Sequence, residues 1–150
     1  MTAGSVTLFR DFAQYAVNGT IDLAGDAIYC ALYSSSLTPD VETQGELADL
    51  AGALTTANGY TAGGAALASK TTLRAAGVMT FDAADVVWTA SGGSITARYL
   101  VLYASVARDG FTNPLIGYAL LDTTPADVTA TDTNTLTIQW SASGIFTAIV

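Results

Sequence analysis

The chain has 150 residues, of which 51% are hydrophobic and 12% charged, and its formal net charge is −8. This length fits one domain, and this hydrophobic content excludes a disordered chain. The acidic excess repels phosphate, so it argues against nucleic acid and anionic membranes as partners. No apolar run reaches about 18 residues, and the N-terminus lacks the pattern of a signal peptide. We therefore expect a protein that is made and folded in a cytoplasm and does not span a membrane.

The low charge is itself informative, because it is about half the usual share. A monomer with so few charges exposes much neutral and apolar surface, whereas a subunit covers such surface with copies of itself or with partners. The composition therefore favours an obligate assembly.

Residues 6–18 carry the best helical pattern in the chain. Apolar side chains recur at spacings of one, three and four residues, and Asn18-Gly19 is a typical C-terminal stop. The residues on this apolar face are Leu8, Phe9, Phe12, Ala13, Ala16 and Val17. The pattern predicts one short N-terminal α-helix.

The rest of the chain is typical of short strands and turns. Residues 26–33 are apolar on both faces, as in a buried strand, and a loop-rich insertion follows at 34–64 with a short helix predicted at 46–50. Gly92-Gly93 is predicted to form a hairpin turn. Further strands are predicted at 66–75, 78–82, 86–89, 94–106, 114–121, 135–141 and 145–150. About eight short strands with frequent turns predict a single all-β domain over 1–150, a sandwich or barrel.

The sequence contains no histidine. A Ser-His-Asp triad, a Cys-His pair and any His-ligated metal centre are therefore impossible. The single cysteine, Cys30, lies in an apolar strand, where a thiol behaves as a small hydrophobic side chain. Gly59, Gly63 and Gly64 lack the following Lys-Ser/Thr of a phosphate-binding loop, so they indicate a turn.

Two groups of side chains leave an alternative open. Asp82 and Asp85, with Asp122, Asp127 and Asp132 later, are the types that serve acid–base catalysis or bind calcium, although aspartate is also a preferred turn residue. Five aromatic residues could together form a surface on which a carbohydrate stacks, although aromatic residues on strands are more often core or interface residues. They are Trp88, Trp140, Tyr99, Tyr103 and Tyr118. We expect no enzyme, no cofactor and no metal site.

Several short phrases occur in a fixed order along the chain. They are 18–23 (NGTIDL), 28–33 (IYCALY), 38–40 (TPD), 59–65 (GYTAGGA), 81–86 (FDAADV) with Trp88, 95–99 (ITARY) with 101–103, 114–118 (PLIGY), and 138–140 (IQW) with 144–146 (GIF). This ordered set, from about residue 9 to residue 147, resembles a family of tailed-phage virion proteins described as minor structural, head decoration or cement proteins. Residues 41–58 and 104–112 depart from the pattern and are predicted to be surface loops.

The resemblance implies a β-sandwich of jelly-roll type and a particle component without catalytic residues. It leads us to expect a capsid decoration protein, a homotrimer that binds the major capsid protein of the same phage at the virion surface and stabilises the head after assembly in the bacterial cytoplasm. The candidate partner or oligomer contacts are Leu8, Phe9, Phe12, Tyr15, Arg98 and Tyr99. The alternatives are a tail or head-fibre component, a carbohydrate-binding adsorption module and, least favoured, a metal-dependent hydrolase built on Asp82, Asp85 and Asp122.

Overall fold

A computed structural model describes residues 2–149 and confirms the all-β prediction. One helix, α1, spans Asp11–Asn18, and a short 3-10 turn spans Leu47–Asp49. The strands are β1 (Thr7–Leu8), β2 (Ile28–Tyr33), β3 (Ala65–Ala66), β4 (Thr71–Ala75), β5 (Val78–Asp82), β6 (Val86–Thr89), β7 (Ile95–Ala97), β8 (Tyr99–Ala104), β9 (Ala107–Arg108), β10 (Phe111–Thr112), β11 (Leu115–Leu120), β12 (Val128–Ala130), β13 (Thr135–Ile138) and β14 (Phe146–Ile149).

The strands form one larger antiparallel sheet and several small ones. The larger sheet has the order β1-β11-β8-β2-β3, and a three-stranded sheet has the order β14-β5-β4. The pairs β13-β6, β12-β7 and β10-β9 complete the set. The main core lies between the five-stranded sheet and the smaller sheets, so the arrangement is sandwich-like. The jelly-roll connectivity implied by the resemblance stays a prediction.

The centre of the five-stranded sheet is buried on both faces. Cys30 and Leu32 of β2 pack into the main core, whereas Ala31 and Tyr33 point to the opposite side and join a second cluster. This alternation explains why residues 28–33 contain almost no polar side chain. The predicted buried strand is confirmed, and Cys30, which is 0% exposed, packs as a small hydrophobic residue.

The loop-rich insertion at 34–64 covers the second face of this sheet. Leu37 is buried there, and Val41, Leu47 and Leu50 pack around it as half-buried side chains. The predicted short helix at 46–50 is a 3-10 turn in which the Asp49 carboxylate accepts a hydrogen bond from the Glu46 N–H. The insertion therefore acts as a lid over apolar side chains that water would otherwise reach.

The N-terminal helix is shorter than the sequence predicted. Residues 6–18 were expected to be helical, but Thr7–Leu8 is extended and pairs with Tyr118 and Gly117 at the edge of β11. A Cβ on Gly117 would lie 2.6 Å from Val6 Cγ1 and 2.9 Å from the Thr7 carbonyl oxygen. Glycine at position 117 thus lets the chain approach β11 closely enough to add a strand, and strand pairing replaces the first helical turn.

Two predicted strands are interrupted. Residues 66–75 are divided between β3 and β4 by Ser69, which has a left-handed φ of 51°. Residues 94–106 are divided at Arg98, where the chain passes from pairing with β12 to pairing with β2 and β11. The predicted Gly92-Gly93 hairpin is wrong, because β6 and β7 pair with β13 and β12 and not with each other.

None of the helices within residues 2–149 is long and apolar enough to cross a bilayer.

An ion pair fastens the loop after α1 to the β9 hairpin. The Asp26 carboxylate accepts hydrogen bonds from Arg108 Nη2 at 2.9 Å and Nη1 at 3.0 Å, and from the Asp22 N–H at 2.7 Å. Burial acts to raise the pKa of Asp26, but the Arg108 and Asp22 hydrogen bonds and the nearby positive charges outweigh it and hold this pKa below the ordinary 3.8. The carboxylate form is therefore bound more strongly in the folded chain than in the unfolded chain.

This depressed pKa predicts a stability contribution that is complete above pH 3.8 and is lost as the pH falls through the folded-state pKa of Asp26. Asp26→Asn should therefore be less stable than the wild type near neutral pH, and the difference should shrink in acid. Urea unfolding at a series of pH values measures it, with Arg108→Gln as the partner control. A difference that stays constant down to pH 2 would contradict this assignment.

Candidate interaction surface

Three of the predicted contact residues are buried inside the chain. Phe9, Phe12 and Tyr15 are 1%, 6% and 3% exposed, and Leu8 is half-buried. Phe12 packs edge-on against Phe146 at a centroid distance of 5.5 Å. The prediction that these side chains contact a partner is therefore wrong for Phe9, Phe12 and Tyr15, because the apolar pattern that suggested an interface is satisfied by the chain's own core.

Tyr15 also has a local polar partner. Its hydroxyl donates to the Gly45 carbonyl oxygen at 3.3 Å, which ties α1 to the insertion. Burial, helped by the negative charges of Asp11, Glu46 and Asp49, raises the pKa of Tyr15 to about 12. The hydroxyl thus stays protonated and acts as a structural donor.

Arg98 and Tyr99 lie nearer the surface. Arg98 Nε donates to Asp127 Oδ1 at 2.8 Å, and the two side chains are 29% and 43% exposed. Tyr99 is half-buried and packs edge-on against Tyr118 at a centroid distance of 6.3 Å. Both residues are accessible, but each already has a partner within the chain.

Three of the aspartates accept hydrogen bonds from backbone N–H groups. Asp85 Oδ1 accepts from the Trp140 N–H, and Asp132 Oδ1 accepts from the Gly92 N–H. Asp122 accepts from both the hydroxyl and the N–H of Thr124, and these hydrogen bonds lower the pKa of Asp122. Within residues 2–149, no three carboxylate or thiol side chains gather as a metal-binding group. Asp122 therefore bonds its local backbone as a turn residue does, whereas Asp85 and Asp132 bond segments that are distant in the sequence, and the buried Oδ1 of Asp82 has no hydrogen-bond partner within residues 2–149.

Two of the five candidate aromatic residues belong to the core. Trp88 and Tyr103 are 7% and 5% exposed, and Trp88 packs against Tyr60 in the main core. Trp140 is half-buried, and its Nε1–H donates to the Ala84 carbonyl oxygen at 3.1 Å. Burial therefore removes Trp88 and Tyr103 from any stacking surface, whereas Trp140, Tyr99 and Tyr118 keep part of their side chains exposed.

The three-stranded sheet β14-β5-β4 presents an unusual outer face. Its core-facing side carries Phe81 and Phe146, which are opposite each other in the register, so the alternate residues point outward. Leu73 and Ile149 on that outward side are 65% and 93% exposed. We call this surface the outer sheet face; it consists of Thr71, Leu73, Ala75, Val78, Thr80, Asp82, Thr147 and Ile149. Asp82 is the one charged residue among these eight, and it lies with its register partner Thr71 at the end of the face away from the hairpin turn.

The same sheet borders a groove on its inner side. Thr72 and Arg74 of β4 and Met79 of β5 form one wall, and residues 21–24, with Arg108, form the other. The groove has a volume of about 700 Å³ and is open to solvent. We call it the β4 groove. It combines apolar side chains with the guanidinium groups of Arg74 and Arg108 and the carboxylate of Asp22.

The sequence pattern does not mark the outer sheet face or the β4 groove. Residues 71–75 (TTLRA) have all five side chains exposed, so no apolar alternation marks their faces. The available signals were an isolated leucine between polar residues and the Ala76-Gly77 turn that follows. Neither distinguishes an exposed hairpin from an ordinary edge strand.

No protein-family model, curated protein or solved structure matches this chain.

Proposed function

We propose that the chain is a structural protein of a tailed-phage virion, a capsid decoration protein that binds the major capsid protein and stabilises the head. The observation that carries the proposal is the outer sheet face, on which the apolar side chains of Leu73 and Ile149 are 65% and 93% exposed. Soluble monomers rarely expose contiguous apolar patches unless a partner covers them. The ordered resemblance to virion proteins supports the same role.

The chemistry of the chain supports a binding role over a catalytic one. The absence of histidine excludes the common triads, and Asp85 and Asp122 are engaged by backbone N–H groups. A decoration protein needs only a stable core and a surface that gains contact area on the particle. Bound only to the assembled shell, it would stabilise that shell by mass action. The jelly-roll connectivity and the homotrimer belong to the same proposal.

Particle stability tests the role directly. Phage particles assembled without this chain should release their DNA at a lower temperature than complete particles, and adding back the purified protein should restore the difference. Dye-accessible DNA measured during a heating ramp reports the release. Particles whose release temperature is the same with and without the protein would contradict the decoration role.

The outer sheet face can be tested within the same assay. Leu73→Asp/Ile149→Asp should weaken rebinding to depleted particles at least about tenfold, because two carboxylates must be desolvated at the contact. Val17→Asp is the matched control, since Val17 is 86% exposed but lies at the end of α1. If the control weakens rebinding as much as the double variant, the outer sheet face is not the contact.

Position and oligomeric state complete the test. Immunogold labelling should mark the capsid. Labelling of the tail or of head fibres would contradict the decoration role and support a tail or head-fibre component instead. Light scattering of the purified protein should give three times the 15.3 kDa of one chain. A monomer at all concentrations would contradict the trimer and leave the particle test unaffected.

A further inference from the structure

Strand β4 is an open edge of its sheet. It is the outermost strand of the order β14-β5-β4 and pairs only with β5. All five of its residues are exposed, and within residues 2–149 its backbone makes no hydrogen bond to any other segment. An open edge of this kind is a template for another extended chain.

The hairpin turn fixes which backbone groups are free. Ala76 and Gly77 have φ values of 49° and 78°, as a two-residue type I′ turn requires, so Ala75 and Val78 form the hydrogen-bonded pair that closes it. Hydrogen-bonded and non-bonded pairs alternate along antiparallel strands. The N–H and C=O groups of Thr72 and Arg74 therefore point away from β5, toward solvent.

The β4 groove lies beside this edge. Thr72, Arg74 and Met79 line it from the hairpin, on the same side as buried Phe81. The opposite wall contributes the apolar side chains of Ile21 and Leu23. A strand added to β4 would place every second side chain over this groove, because side chains alternate between the two faces of a sheet.

The charge of Arg74 favours one kind of segment at the β4 edge. Arg74 is exposed, and its guanidinium makes no hydrogen bond or ion pair within residues 2–149, whereas Arg108 across the groove is paired with Asp26. A second copy added through its own β4 edge is a poor occupant, because it would bring its own Arg74, and no carboxylate of β4, to the contact. A segment with a carboxylate complements Arg74, and an apolar neighbour on the same face complements Ile21, Leu23 and Met79.

We propose that the β4 edge and the β4 groove bind an extended segment of a partner protein by strand addition, with a carboxylate on Arg74 and a large apolar side chain, two residues away, in the groove. The site is defined by this chain alone. Only the identification of that partner as a capsid protein rests on the proposed function.

A peptide titration tests the site. The probes are two blocked seven-residue peptides in which threonine alternates with leucine, aspartate and valine, or with leucine, lysine and valine. In NMR spectra of the labelled full-length protein, the aspartate peptide should shift the amide signals of Thr72 and Arg74 and protect them from exchange. The lysine peptide should bind at least about tenfold more weakly.

Two variants separate charge recognition from strand addition. Arg74→Glu should reverse the preference between the two peptides, whereas Arg10→Glu, a charge change at another exposed arginine, should leave it unchanged. Thr72→Pro removes an outward N–H that β5 does not use and should abolish binding of both peptides. Circular dichroism confirms that each variant is folded.

Several results would overturn the proposal. They are no binding of either peptide at millimolar concentration, signal changes confined to other strands, or equal affinities for the two peptides. Self-association that Thr72→Pro removes would assign the edge to a second copy instead. If wild-type protein and Arg74→Glu bind depleted particles equally well, the decoration role stands and the proposed contact at β4 is wrong. If the wild-type protein binds the peptide but not the particles, the β4 site stands and the decoration role is wrong.

Discussion

Gly64→Ala should lose about 3–5 kcal/mol of unfolding free energy, enough to unfold a domain of marginal stability. Gly64 has a φ of 83°, and a Cβ there would overlap the Cys30 carbonyl oxygen and lie 2.6 Å from Ala31 Cα. Both obstacles are backbone atoms of β2, an interior strand of the larger sheet that lies between β8 and β3. Neither can move without breaking the pairing of β2 with β3. Urea unfolding followed by circular dichroism measures the loss.

Gly92→Ala is the matched control. Gly92 has a similar φ of 78°, but a Cβ there meets no atom within 4 Å. The cost should be limited to the left-handed conformation, about 1–2 kcal/mol. If the two variants unfold at the same urea concentration, close packing at Gly64 is not what requires a glycine.

Phe81→Ala should cost about 3–5 kcal/mol, the range measured for removing a buried phenylalanine ring. Phe81 is 0% exposed and packs against Phe146 at a centroid distance of 5.4 Å, where the three-stranded sheet meets the main core. Truncation leaves a cavity that the β5–β14 pairing prevents from collapsing. The midpoint of urea unfolding should fall with an unchanged slope.

Leu73→Ala belongs to the same sheet and provides the comparison. Leu73 is 65% exposed, so its truncation should change stability by no more than about 0.5 kcal/mol. A loss comparable to that of Phe81→Ala would show that Leu73 is covered in solution, for example by another subunit. The pair of variants therefore separates the inner side of this sheet from its outer side.

Much of the fold follows from local sequence patterns. The run at 28–33 predicts a strand buried on both faces, and the strand predicted at 135–141 contains β13, which pairs with β6 and buries Leu136 and Ile138. Both patterns reflect contacts that repeat with the period of a strand. Local periodicity is reliable where burial itself is periodic.

The errors come from long-range contacts that no local pattern records. Residues 6–8 have a helical spacing, but Gly117, more than a hundred residues away, offers them a sheet edge. The same cause explains the predicted site residues. The apolar spacing of Phe9, Phe12 and Tyr15 does not show that Tyr118 of β11, Phe146 of β14 and Gly45 of the insertion cover them. Periodicity indicates an apolar face and does not tell whether the face is covered by the same chain or by a partner.

Cys30 can report how often the sheet around β2 opens. Its side chain is 0% exposed between β3 and β8, and burial raises the pKa of its thiol. A thiol reagent can reach it only when β2 separates from its neighbours, and it is the one thiol in the sequence. With reagent in excess, the labelling rate becomes the rate at which the central sheet opens, and at low reagent it reports the equilibrium population of the open form. The labelling rate of Cys30 thus reports the opening of the sheet around β2. Comparing this rate in the free protein and in the particle-bound protein would show how far a partner slows the opening.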